Sequence, residues 1–117
     1  MTVIVDCAAD ILQVHVAVNR TVILFCNNVV PGDVAWHYHE YNPPTVSPKK
    51  VVYLTGIVYN DFKSRFRVKN TNSTSHMLVI NSAQKNDSGF YGCIEEDGQG
   101  VLHQFFRVTC EGNLLLL

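Results

Sequence analysis

Residues 87–93, Asp-Ser-Gly-Phe-Tyr-Gly-Cys, are the most informative part of this chain about its fold. They follow Cys26 and Trp36, so the chain as a whole reads Cys…Trp…Asp-x-Gly-x-Tyr-x-Cys. Gly89 permits the tight backbone with which the chain enters a predicted strand, because glycine tolerates conformations that other residues avoid. Short β-rich runs with turn signals between them recur along the rest of the chain, without helical periodicity. This rhythm is typical of an all-β sandwich.

Runs rich in β-branched and aromatic residues are predicted as strands. They cover residues 11–18, 21–26, 34–40, 51–54, 64–69, 77–81 and 90–95. The second of these runs alternates, which places Val22, Leu24 and Cys26 on one face of its strand.

The pattern resembles the V-set domains of the lymphocyte-receptor group within the immunoglobulin superfamily, and the resemblance extends over nearly the whole chain. It implies an all-β, immunoglobulin-like V-set β-sandwich of two antiparallel sheets with Greek-key topology. It also implies a disulfide between Cys26 and Cys93 that joins the two sheets, with Trp36 packed on the bridge. Tyr91, two residues before the second cysteine, corresponds to the tyrosine corner of the family.

Two further similarities concern the lower end of the sandwich and the last segment. Arg65 resembles the family's arginine at the start of strand D, whose ion-pair partner corresponds to Asp87, and both are expected to be scaffold residues. Residues 109–117 resemble a joining segment, Phe-Gly-x-Gly-Thr-x-Leu-x-Val, in which Gly112 and Leu115 match and the Phe-Gly pair is lost.

Length, charge and cysteine content indicate the class of protein. We interpret residues 1–117 as a single V-type immunoglobulin domain, a mature ectodomain fragment from which any signal peptide has been removed. The net charge is -1, whereas nucleic-acid-binding proteins usually carry an excess of basic residues, so no nucleic-acid partner is expected. Four cysteines and glycosylation sequons at Asn19, Asn72 and Asn86 indicate an oxidising, extracellular environment. We therefore expect the cell-surface, extracellular part of a single-pass membrane protein whose membrane segment is absent here.

Cys7 and Cys110 leave two placements of the last strand open. In the first, the last strand covers residues 111–117, residues 94–108 form a long loop before it, and Cys7 bridges to Cys110. In the second, a tight hairpin turn precedes a last strand at residues 101–109, and Cys110 lies too far from Cys7 for a bond within the chain. Cys110 is then free or links two chains. We favour the first placement, and with it the Cys7–Cys110 bridge.

Two histidines and a glycine mark a candidate interface. His37 and His39 flank Tyr38 on the strand of Trp36, so both imidazoles point to the outer face of their sheet when Trp36 points inward. The family uses this face, formed by the strands that are lettered G, F, C and C′ in variable-type domains (the GFCC′ face), for domain pairing and for many ligand contacts. No Cys, Asp or Glu is poised to complete a metal site with the two histidines, so no metal is expected. Gly92 lies on the same face, where antigen-receptor chains often carry an aromatic residue.

The loops supply the other candidate ligand contacts. The region after the second cysteine contributes Glu95, Glu96, Asp97, Gln99, Leu102, His103, Phe105 and Phe106. If this region is a long loop, its apolar residues are exposed and mark a partner surface, whereas the short hairpin would place several of them in the core. The second hypervariable-like loop, residues 56–62, contributes Tyr59, and the first, residues 27–33, contributes Asn28 and Pro31.

The function expected from these observations is ligand recognition. No nucleophile elbow, HExxH motif or glycine-rich phosphate loop occurs, so neither enzyme activity nor a cofactor is expected. We expect the ligand-binding ectodomain of an immune cell-surface receptor that recognises a protein on another cell, and the resemblance is nearest to the novel immune-type receptors of bony fish. Alternatives are a dimeric T-cell co-receptor chain that binds class I MHC, a homophilic adhesion domain, and a secreted or viral decoy. Under the first two alternatives the chain is expected to form a homodimer.

Overall fold

A computed structural model describes residues 11–27, 34–40, 49–54, 56–72, 75–95 and 102–112 of the chain. Within these residues the strands are β1 (Ile11–Ala17), β2 (Val22–Asn27), β3 (Val34–His39), β4 (Lys49–Leu54), β5 (Ile57–Val58), β6 (Phe66–Asn72), β7 (Ser75–Ile80), β8 (Gly89–Glu95) and β9 (Leu102–Glu111). Single 3-10 turns lie at Asn60–Phe62 and Lys85–Asp87. The predicted strands agree with these bounds to within a few residues, and β5 is a short strand inside the segment that was predicted as a loop.

The strands form two sheets that pack face to face. One has six strands in the order β1-β9-β8-β3-β4-β5, and the other has three in the order β2-β7-β6. Neighbours that are distant in sequence, such as β3 with β8 and β2 with β7, give the connectivity of a Greek key. Pairing is antiparallel except at one edge, where β1 runs parallel to β9. The predicted immunoglobulin-like β-sandwich is thereby confirmed, with one parallel pair in the larger sheet.

The core lies between the sheets, around the disulfide that joins Cys26 of β2 to Cys93 of β8. The Cα atoms of the two cysteines are 6.3 Å apart, and the predicted bond is confirmed. Trp36 is fully buried, lies opposite Cys93 in the pairing of β3 with β8, and has its ring centroid 5.9 Å from that of Phe106. Further buried apolar side chains of this core are Val22, Leu24, Val34, Val52, Phe66, Leu78, Ile80, Tyr91 and Val108.

The lower end of the sandwich, defined here as the end with the Lys85–Asp87 turn, has the predicted scaffold. The hydroxyl of Tyr91 donates a hydrogen bond to the backbone carbonyl of Asp87 at 2.5 Å, which is the tyrosine corner. Arg65 donates from Nη1 to Oδ2 of Asp87 at 2.5 Å and from Nη2 to Oδ1 at 2.8 Å. The backbone N–H of Gln84 donates to the same carboxylate at 2.8 Å. These contacts fix the turn that leads into β8.

The favoured placement of the last strand is wrong, because β9 covers Leu102–Glu111 and not residues 111–117. It pairs with β8 on one side and with β1 on the other. Residues 94–108 are therefore not one long loop, and the second placement holds for the strand. Phe106 and Val108 point inward and are 3% and 1% exposed. A strand in this position satisfies backbone hydrogen bonds on both of its edges, which a long exposed loop cannot do.

Cys110 carries a buried free thiol near the end of β9, with 4% of its surface exposed. The predicted bridge from Cys7 to Cys110 is accordingly wrong, and Cys7 itself lies outside the described residues. The strand carries Cys110 opposite Val16 of β1 and next to Ser88, whose Oγ accepts the Cys110 backbone N–H at 2.9 Å. Burial raises the pKa of the thiol, and the nearby charge of Asp87 adds to that effect.

Candidate interaction face

The outer face of the six-stranded sheet presents a group of rings and one cation, called here the aromatic face. It consists of His39 on β3, Phe90 on β8, and Phe105 and Arg107 on β9. The ring centroids of Phe90 and Phe105 are 6.0 Å apart, and those of His39 and Phe105 are 6.2 Å apart in an edge-to-face arrangement. The guanidinium carbon of Arg107 lies 5.8 Å from the ring centroid of Phe90. Each ring thus touches another member of the group.

Strand alternation produces this face. Tyr91 and Phe106 point into the core and are 0% and 3% exposed, so their neighbours Phe90 and Phe105 point to the opposite side of the sheet. The registers place His39 opposite Phe90, and Phe90 opposite Arg107. The three rings are half-buried and the side chain of Arg107 is exposed. Aromatic residues and arginine are the types that contribute most to binding in protein interfaces.

Two of the residues predicted for this face are buried within it. The registers bring His37 opposite Gly92, and Gly92 opposite Phe105. His37 lies on the predicted side of the sheet, but only 9% of its surface is exposed. Gly92 is buried as well. His39 is therefore the more exposed of the two histidines. His37 is largely covered by its neighbours on the same side of the sheet.

The predicted loop residues are distributed differently from the expectation. Phe106 is a core residue and has no surface for a ligand, whereas Phe105 is on the aromatic face. Tyr59 follows β5, is 43% exposed, and donates its backbone N–H to the carbonyl of Val52 at 2.9 Å. Glu95 ends β8, and Leu102 and His103 begin β9. The predicted contacts Asn28, Pro31, Glu96, Asp97 and Gln99 lie outside the described residues.

Sequence reasoning missed Phe90 and Arg107 as members of this face. The position of Phe90 was predictable, because it directly precedes Tyr91, whose side chain must point into the core to form the tyrosine corner. The position of Arg107 was not predictable without the register of β9, since the favoured placement put it in a loop. The register of β9 therefore determines two of the four residues of the face.

Two of the three predicted glycosylation sites lie in turns and the third lies at the end of a strand. Asn19 is exposed in the turn after β1, with a φ of 72°, and its Oδ1 accepts a hydrogen bond from Nε2 of Gln84 at 3.0 Å. Asn86 is exposed in the Lys85–Asp87 turn, and Asn72 ends β6. Asn19 and Asn86 both lie at the lower end, beside or within the Lys85–Asp87 turn. Use of the three sequons stays a prediction.

Within the residues that the structure describes, no group of three His, Cys, Asp or Glu side chains is placed to hold a metal ion. A cleft of about 410 Å³ at the lower end has a lining that includes Tyr38, Phe62 and the Arg65–Asp87 pair. The guanidinium of Arg65 and the carboxylate of Asp87 bond to each other there. The described parts of the chain also contain no helix long and apolar enough to span a bilayer.

A scan against protein-family models and a search of curated proteins found no match to this chain. The fold of the sandwich and the side chains on its outer surfaces are therefore the basis for a proposed function.

Proposed function

We propose that this chain is a V-set ligand-binding domain of an immune cell-surface receptor, which recognises a protein on another cell. The observation that carries the proposal is the aromatic face. A sheet surface that meets only water usually carries polar residues. Here the rings of His39, Phe90 and Phe105 are only partly buried and lie beside an exposed Arg107. Rings that cluster on such a surface mark a place where a partner excludes water.

The order of strands in the larger sheet supports assignment to the V-set. Variable-type domains extend the sheet of the last two strands by two further strands beyond strand C. In this chain β4 and β5 occupy that edge, next to β3. The spacing of Cys26, Trp36 and the Tyr91 corner supports the same class.

Binding through this face needs little ordering of the domain. The rings project from adjacent strands that the Cys26–Cys93 bond anchors to the opposite sheet. Phe105 contacts both Phe90 and His39, so its side chain is restrained before a ligand arrives. A restrained aromatic side chain loses little conformational entropy on binding, which leaves more of the contact energy for affinity.

One observation favours the co-receptor alternative. The connection from β8 to β9 is short, residues 96–101, and a short hairpin is what we expect for a dimeric co-receptor chain that binds class I MHC. Only 4% of the surface of Cys110 is exposed, however, which does not suit a disulfide between two chains. Such a homodimer would be held by non-covalent contacts, and the aromatic face offers a surface for them.

The test uses a multimer of this domain on cells that each display one cloned extracellular domain, class I MHC included. We expect at least one displayed protein to bind, and the Phe105→Ala and Arg107→Glu variants to lose at least about tenfold in affinity. Leu12→Ala, an exposed leucine on the edge strand β1 and outside the aromatic face, is the matched control and should bind normally. If no displayed protein binds, or if Leu12→Ala lowers binding as much as Phe105→Ala, the proposal fails.

Secretion supplies an independent check of the extracellular assignment. The chain is expressed in animal cells behind a cleavable signal peptide, and its mobility is compared before and after treatment with a peptide N-glycosidase. We expect a shift that is reduced stepwise by Asn19→Gln and Asn86→Gln, since both side chains are exposed. Retention of the chain inside the cell in unglycosylated form would contradict the assignment.

A further inference from the structure

The outer face of the three-stranded sheet has a second apolar surface, called here the three-stranded face. It consists of Ile23 and Phe25 on β2, Met77 and Val79 on β7, and Arg67 and Lys69 on β6. Ile23 and Phe25 are 48% and 50% exposed. Leu24 between them is 1% exposed and points into the core, so the two exposed side chains share the outward side of the strand.

The strand registers arrange these six residues in two rows. Ile23 lies opposite Val79, which lies opposite Arg67. Phe25 lies opposite Met77, which lies opposite Lys69. Residues directly opposite in antiparallel strands project to the same side, so each row runs from an exposed apolar side chain to an exposed cation.

Charge on this face has one sign. The three strands carry Arg67 and Lys69 and contain no Asp or Glu. Val79 in the centre is only 5% exposed, whereas Ile23 and Phe25 at the β2 side remain open. A complementary surface therefore needs an apolar group over β2 and carboxylates over β6, roughly 10 Å away at the spacing of neighbouring strands.

We propose that the three-stranded face is a docking surface for a protein whose contact area combines apolar side chains with aspartate or glutamate. Charge complementarity selects this occupant. A symmetric contact between two copies would gather the cations of both chains without a carboxylate from any of the three strands. A bilayer contact is disfavoured by geometry, because Ile23 and Phe25 lie within the strand β2 and not at the tip of a loop. The proposal is independent of the aromatic face, which lies on the other sheet.

The test is a titration of the isotope-labelled full chain, followed by NMR, with two synthetic peptides of one alternating sequence. Both carry leucine and phenylalanine at every second position, with glutamate between them in one peptide and lysine in the other. We expect the glutamate peptide to shift backbone amide signals of β2, β6 and β7, and the lysine peptide to bind at least about tenfold more weakly. Raising the NaCl concentration to about 0.5 M should lower the affinity for the glutamate peptide by a similar factor.

Two variants separate the apolar part of the contact from the charged part. Ile23→Ser with Phe25→Ser should remove binding of both peptides, and Arg67→Glu with Lys69→Glu should reverse the preference toward the lysine peptide. All four positions are exposed, so both variants should keep the wild-type circular dichroism spectrum and unfolding midpoint. Phe105→Ala, on the aromatic face, should bind the glutamate peptide as the wild type does.

Three results would overturn the proposal. The first is an equal response to the two peptides, and the second is a set of shifts confined to the six-stranded sheet or no shift at all. The third is a different occupant of the same residues, seen as a dimer in sedimentation that Phe25→Ser abolishes, or as Phe25-dependent binding to vesicles of phosphatidylserine and phosphatidylcholine. None of these results bears on the display test of the aromatic face, so the two proposals can fail separately.

Discussion

The ring of Tyr38 lies directly against Gly89, at the point where the chain enters β8. A Cβ atom added to Gly89 would be 2.5 Å from Cε1 and 2.7 Å from Oη of Tyr38, distances that real side chains do not adopt. The hydroxyl of Tyr38 donates to the backbone carbonyl of Ser88 at 2.7 Å, which holds the ring in place. Gly89 also has a φ of 150°, a value that residues with a Cβ rarely adopt.

Gly89→Ala is therefore expected to destabilise the domain by about 2–4 kcal/mol, from overlap with Tyr38 and from backbone strain. Urea unfolding of four proteins measures this: the wild type, Gly89→Ala, Tyr38→Ala and the double variant. The cost of Gly89→Ala should be smaller when Tyr38 is alanine, because only backbone strain remains. An equal cost in both backgrounds would show that the ring does not restrict position 89.

Phe105 and Phe106 are adjacent in sequence and lie on opposite sides of β9. Phe106 is 3% exposed and packs on Trp36, so Phe106→Ala should cost about 3–5 kcal/mol. Phe105 is half-buried on the outer face, and Phe105→Ala should cost about 1 kcal/mol. Denaturant unfolding of the two variants is a matched comparison. A larger loss for Phe105→Ala would contradict the register of β9.

Cys110 should react slowly with thiol reagents in the folded protein. Its side chain is buried and the pKa of its thiol is raised by that burial, so both access and the thiolate fraction are low. We expect alkylation by iodoacetamide to be at least about a hundredfold slower in buffer than in urea. Digestion without reduction should give a linked Cys26–Cys93 peptide and an unlinked Cys110 peptide. A peptide that joins Cys7 to Cys110 would contradict the free thiol.

The domain should lose stability in alkaline solution. Burial of Tyr91 raises the pKa of its hydroxyl well above the ordinary value of 10.0, and the charge of Asp87 adds to the effect. Above about pH 10 the unfolded chain releases this proton while the folded domain keeps it. The folded state then binds more protons, so the free energy of unfolding falls as pH rises, by at most about 1.4 kcal/mol per pH unit for this group.

Urea unfolding of the wild type and Tyr91→Phe between neutral and alkaline pH tests the assignment to Tyr91. The variant should be less stable at pH 7, because it lacks the hydrogen bond to Asp87, and should have a shallower decline above about pH 10. Cys110 contributes a loss of the same sign from a lower pH, so Cys110→Ala is measured alongside. Parallel declines in the wild type and Tyr91→Phe would exclude Tyr91 as the cause.

The scaffold was predictable because its signals are local or depend on residue type. The turn before β8, the corner formed by Tyr91 and the ion pair of Arg65 with Asp87 follow from short motifs whose residues have few alternative uses. The alternation along β2 predicted that Leu24 and Cys26 point inward, and both are buried. The edge strand β1 was likewise visible as an alternating run.

The last strand was not predictable to the same degree, for a physical reason. Residues 101–109 and 111–117 are both apolar enough to form a strand, and Cys7 offered a partner for Cys110 in one arrangement. Which run pairs with β8 depends on hydrogen bonds to β8 and β1 together, and these partners are far away in sequence. The favoured placement assigned Phe105, Phe106 and Arg107 to a loop. As a result, Phe106 was wrongly predicted as a ligand contact and Arg107 was not predicted as one.

The amino-acid pattern was sufficient to predict a disulfide-bonded β-sandwich, because period-two alternation and the constrained motif at residues 87–93 indicate which side chains are buried. It could not state what each outer surface would look like. The rings of Phe90 and Phe105 meet only because β8 and β9 pair in one register, and Phe25 faces Lys69 only across β7. Period-two alternation assigns a residue to a side of its strand, whereas its neighbours on that side are decided by the strands that pair with it.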